Sequence, residues 1–79
     1  MRFKEHDCVV LTRDLLEDDL RVGDVGAVIH VHKGGVAYEV EFLTFTGATI
    51  AVATVKASCL RAVDSRDITH VRQLESAGR

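Results

Sequence analysis

A chain of 79 residues, 47% hydrophobic and 28% charged, is one small globular domain, and its formal charge of −2 narrows its partners. Its longest apolar run is far below the about 20 residues that span a bilayer as a helix, so no membrane segment is expected. Mild acidity also speaks against a phosphate-backbone ligand, whose binding rests on clustered Lys and Arg.

A chain this short buries only about 60–65% of the surface its unfolded form exposes, so the core has little redundancy. Proline and Trp are absent, and segment breaks must rest on glycine and polar residues. The N-terminal Met1–Asp7 lacks the apolar run of a signal peptide, and two cysteines are too few for a disulfide framework. A cytoplasmic setting is the expectation.

Asp7–Thr12 reads as a first strand, an apolar run bounded by charge. Leu15–Leu20 is too short for a stable helix and too acidic for a strand. A loop with one helical turn is expected there, with Leu15 or Leu16 and Leu20 tucked beneath it. Gly23 and Gly26 suit a tight turn and a close backbone approach, and Asp24–Lys33 is the second strand. Gly34-Gly35 signals a two-residue type I′ hairpin, because both its positions need positive φ.

Val36–Phe45 carries the clearest alternation. Tyr38, Val40 and Phe42 face inward, and Glu39 and Glu41 face water. After a Thr46-Gly47 turn, Ala48–Val55 is apolar on both faces: Ile50 and Val52 on one, Ala51, Ala53 and Val55 on the other. Such a strand needs cover on two sides, or one face meets another molecule. A 3₁₀ link at Lys56–Ser58 leads to a fifth strand, Cys59–Val63. Five short strands with a long first loop, two tight turns and a 3₁₀ link follow the order of an SH3-like barrel, whose closure disposes of free edges.

Residues 1–63 are thus read as the barrel and 64–79 as a tail. Asp64 is placed to cap a helix, and Ile68, Val71 and Leu74 recur at helical spacing. The tail is expected either to dock that apolar face on the barrel or a partner, as a short helix around 65–75, or to fray, with Ser76–Arg79 disordered.

No catalytic constellation emerges. His30 and His32 share a strand face, and Glu39, His6 or Cys8 would have to complete a metal site; the simpler reading is two exposed histidines, with no metal and no cofactor. Cys8 and Cys59 fall on neighbouring strands, where a disulfide would need Cα atoms within about 7 Å. Asp14, Glu17, Asp18 and Asp19 lack the alternating spacing of a calcium loop and form an acidic patch, with Arg13 and Arg61 as candidate internal partners.

Taken together, Asp7–Leu15, Gly23-Asp24-Val25-Gly26, Tyr38–Phe42, Thr49–Val52 and Leu60-Arg61 resemble a family of small bacterial proteins of unknown function. The likeness runs over roughly residues 3–63. It implies an SH3-like barrel, and genes of this type are common on mobile cassettes. Gly23-x-x-Gly26-x-Val28 is also similar to the wider group of KOW modules and nitrile hydratase barrels, which bind RNA or protein or act as scaffolds. Fold likeness does not by itself carry function.

The expected function is a non-catalytic protein-interaction module that self-associates. Its interaction candidates are Asp14, Glu17, Asp18, Asp19, Val52, Val55, Ile68, Val71 and Leu74. The alternatives are a regulatory, antitoxin-like partner of a basic protein and a KOW-like nucleic-acid binder. The last is disfavoured by the charge and by the lack of exposed aromatic platforms.

Overall fold

The β-branched, alternating segments build one antiparallel five-stranded sheet in a computed structural model that describes residues 2–74. The strands are β1 (Cys8–Leu11), β2 (Val25–His32), β3 (Ala37–Leu43), β4 (Thr49–Lys56) and β5 (Leu60–Ala62), in spatial order β4-β3-β2-β1-β5. Single 3₁₀ turns occupy Leu16–Asp18 and Ala57–Cys59. The ladder ends at β4 on one side and β5 on the other, so the sheet has two edges.

Alternation on β3 sets the core. Tyr38, Val40 and Phe42 are fully buried, joined by Val9, Leu11, Val28, Val55 and Leu60. Leu20 is completely buried and seals the end of the long first loop with Leu15, which is half-buried against the core, whereas Leu16 is exposed. Gly26 lies against β3 so closely that a Cβ there would stand 2.6 Å from Val40 Cγ1 and 2.8 Å from the Glu41 carbonyl. Gly23 turns the chain at φ +93°, which a side chain would resist.

Three expectations need correction. The β2–β3 connection spans 33–36 rather than Gly34-Gly35 alone, because the positive-φ pair closing the turn begins at Lys33. The Gly35 N–H donates to the His32 carbonyl at 2.8 Å, with Lys33 and Gly34 at φ +40° and +73°. Gly35, at φ +101°, is then an extra residue beside the turn. Val55 is 1% exposed and faces the core, so it leaves the interaction set; Val52, at 50%, stays in it. Ala53 and Val55 share the Tyr38 face of the sheet, which fills that side of β4 from within.

The third correction concerns the tail. Residues 64–74 contain no helix. A helix of about ten residues is marginal by itself, and local side-chain bonds take its place. Asp64 Oδ1 accepts from the Arg66 N–H at 2.8 Å, and Asp67 Oδ2 accepts from the Asp64 N–H at 2.7 Å, forming a turn. Ile68 and Val71 are exposed, at 86% and 64%, and Leu74 is exposed as well. Glu75 and the segment Ser76–Arg79, for which disorder is expected, lie outside the described residues.

The tail nevertheless returns to the sheet. Val10 points away from Val9 and Leu11 and stands apart from the core cluster, yet it is 5% exposed. Its cross-strand neighbours are Val25 on β2 and Arg61 on β5. Arg61 grips Asp67, and Asp24, beside Val25, grips Arg72. The chain between those anchors runs from the β5 side to the β2 side, held by charge rather than by its apolar residues.

Candidate interaction surface

Three surfaces are open to a partner; of the candidate residues, Ile68, Val71 and Leu74 lie outside them, exposed on the tail. The first is the acidic corner of the long loop, where Asp14, Glu17, Asp18 and Asp19 are all exposed. Asp14 is partly committed to the fold, since its Oδ1 accepts from the Val22 N–H at 2.8 Å. Asp19 adopts the left-handed region at φ +57° and ends the 3₁₀ turn.

Neither Arg13 nor Arg61 neutralises this corner. Arg61 forms a two-bond pair with Asp67, both bonds 2.9 Å, which holds the Asp67 carboxyl at about 2, helped by the Asp64 N–H. The corner's cation is Arg72. Its Nε and Nη2 donate to the two Asp24 oxygens at 2.9 and 2.6 Å, and Nη2 also reaches the Asp19 carbonyl at 3.1 Å. Burial pushes the Asp24 carboxyl up, but Arg72 and the Arg21 N–H outweigh it and leave it below its ordinary value. Sequence reasoning missed this pair. Its members are 48 residues apart and carry no spacing signal, and Asp24 reads as a turn residue.

The second surface is the outer face of β2, β3 and β4. The Glu39 Oε2 accepts from Thr54 Oγ1 at 2.8 Å and meets His32 Nε2 at 3.0 Å, and these bonds lower its pKa. His30 stands edge-on to His32, ring centroids 4.8 Å apart. A bulge at Ile29 aligns His30 with Glu39. Among the described residues no three His, Cys, Asp or Glu side chains are grouped to hold a metal ion. Glu41 accepts from Thr49 Oγ1 at 2.7 Å, and both glutamates are half-buried rather than fully wet.

The third surface is the free edge of β4. Its eight residues pair only with β3 on one side. Among the described residues, no loop or terminus donates or accepts a backbone hydrogen bond along the other side. Uncharged from Thr49 to Val55, it ends in Lys56, which is exposed and forms no ion pair among the described residues.

Other candidates are brought no closer to chemistry. Cys8 and Cys59 are free thiols, since β1 and β5 pair Leu11 with Leu60 and Val9 with Ala62, which places the two at opposite ends of that ladder. Phe45, read as the end of the third strand, lies past β3 in the β3–β4 loop at 81% exposure, while Phe3, Tyr38 and Phe42 are buried. No helix among the described residues is long and apolar enough to cross a membrane.

Comparison with known proteins returns a family. The family model Domain of unknown function (DUF4926) matches residues 5–62, which covers all five strands and stops before the tail. No curated protein and no solved structure matches the chain.

Proposed function

The chain belongs to the DUF4926 family, and from that premise we propose that it is a non-catalytic interaction module whose first partner is a second copy of itself. The carrying observation is the bare edge of β4, beside an outer face where Val52 is half exposed. Unpaired strand edges recruit other strands, and soluble proteins ordinarily shorten, charge or cover them. This one is long, uncharged along most of its length and, among the described residues, uncovered.

We read the sheet as an SH3-like barrel left open between its two edges. The meander β2-β3-β4, the 3₁₀ link and the return of β5 to β1 support that reading. The N-terminal segment packs beside the link between β4 and β5: the Phe3 N–H donates to the Tyr38 hydroxyl at 3.4 Å, and Arg2 reaches the Ala57 and Leu60 carbonyls. Two free thiols fit a reducing, cytoplasmic setting.

Mass by light scattering over a range of concentrations and salt levels tests the module reading. A concentration-dependent dimer is expected, and Val52→Lys shifts it to monomer while the circular dichroism spectrum is retained. A strict monomer at every concentration rejects self-association.

A second reading has one observation in its favour. The acidic corner already seats a guanidinium, that of Arg72, so an Arg-bearing partner has a site for which it would compete with the tail. Titration with an arginine-rich peptide tests this. Binding that strengthens in Arg72→Ala and weakens in Asp18→Lys/Asp19→Lys supports it, and no binding to either form rejects it.

A further inference from the structure

We propose that two copies join edge to edge through β4, antiparallel about a two-fold axis, with Lys56 of each copy seated against Glu41 of the other. The inference rests on the self-association reading and specifies its geometry.

The backbone supplies the first reason. Ala57 N–H donates to the Val36 carbonyl, and the ladder alternates from there. Residues opposite Tyr38, Val40 and Phe42 therefore turn their N–H and C=O groups towards β3. Val52 and Thr54, between them, turn theirs to the free edge. The side chains of these two residues and of Lys56 are exposed on the outer face. Two such edges brought together continue the sheet without burying an unpaired backbone group.

The charges supply the second reason, and they select a second copy over an unrelated strand. A perpendicular two-fold axis keeps the same face of both sheets upward, so directly opposed residues must share a face. Centring the axis at Ala53 or Thr54, clear of the irregularity in β4 between Thr49 and Ala51, sets Lys56 opposite Ile50 or Val52 of the other copy. Glu41 lies over that stretch. It is opposite Val52 in its own sheet, and its carboxylate is held at Thr49 by a 2.7 Å bond. Glu41 forms no ion pair among the described residues, and neither does Lys56.

Within one chain the two charges cannot meet. Thr49 and Lys56 stand at opposite ends of β4, about 23 Å apart at strand rise. Among the described residues, each copy thus carries a cation without an ion pair at one end of the edge and a carboxylate without one towards the other. A two-fold axis answers both at once. Nothing charged lies between Thr49 and Val55 to oppose the pairing.

The test is analytical ultracentrifugation of the full chain at low salt, with Lys56→Glu, Glu41→Lys and their equimolar mixture. Each variant alone faces like charge across the axis twice, and its dimer is expected to weaken about ten-fold or more. Mixing the two is expected to restore a dimer near wild-type strength. In that heterodimer one contact keeps the native pair and the other joins the two substituted side chains, again of opposite charge. Lys56 is exposed, so its variant folds even if Glu41→Lys does not; circular dichroism checks both. If wild type dimerises and Lys56→Glu leaves the dissociation constant unchanged, the β4 geometry is overturned while self-association stands. Two weakened variants that fail to recover on mixing overturn it as well. A wild type that stays monomeric at every concentration overturns both readings.

Discussion

The two edges of this sheet are handled in opposite ways. The β5 edge is three residues long and is tied down from both directions. Arg2 donates to the Leu60 carbonyl, and Arg61 is locked to Asp67 of the returning tail. The β4 edge is eight residues long, and nothing in the described chain crosses it. Shortening and covering an edge is how a soluble sheet avoids unwanted pairing. That one edge receives this treatment and the other does not separates the side that serves the fold from the side open to a partner.

The largest effects should come from the side that serves the fold. Leu60→Ala removes a 2%-exposed side chain from β5 and is expected to cost about 2–5 kcal/mol by chemical denaturation. Val52→Lys on the open edge should stay within about 0.5 kcal/mol of wild type in dilute monomer. Equal losses at the two sites would erase the contrast. Gly26→Ala probes the sheet between the edges. Its new methyl would meet Val40 and the Glu41 carbonyl, and a loss of about 1–3 kcal/mol is expected in the same assay.

A smaller effect is expected from Arg2→Ala, which frees the Ala57 and Leu60 carbonyls to water and should cost about 1 kcal/mol. Thermal unfolding reads it, and an unchanged midpoint would mean that the β5 edge needs no cover.

The pH response is the mildest and most local. Asp24 and Asp67 are held below their ordinary values by Arg72 and Arg61, so whatever stability they lend is complete above the unfolded carboxyl value of about 4. It is lost as pH falls through the folded values, about 2 for Asp67. The protection factor of the Val10 amide, on the strand between the two anchors, should therefore fall between about pH 4 and pH 2 before the core opens. Simultaneous loss of protection at Val10 and Val40 would show that the anchors do not guard β1.

Where a residue's role follows from its strand neighbours, it is legible in the sequence. Tyr38, Val40 and Phe42 alternate at period two and are buried, and Leu20, with the half-buried Leu15 bridged to it, plugs a loop whose residues between them are exposed. Gly26 is legible as a close approach. The β2–β3 turn sits one residue earlier than its glycines suggest, because Lys33 accepts a positive φ that composition would assign to them. Val55 cannot be told from Val52 by pattern, since both faces of β4 are apolar and only the neighbouring β3 decides which is inside.

The tail departs from its pattern for a different reason. Its helical spacing is real, but Asp64, Asp67 and Arg72 find partners in a turn, on β5 and beside β2. A marginal helix yields to such bonds because its own nucleation is unfavourable.

By itself, then, the sequence determined the number of strands, their antiparallel order and the inward face of β3, because alternation and turn chemistry act over a few residues. Only the tertiary structure decided which side of β4 stays open, how Arg72 reaches Asp24 across 48 residues, and that Lys56 and Glu41 form no ion pair among the described residues. Those outcomes depend on groups that are distant in sequence and adjacent in space, and no local pattern encodes them.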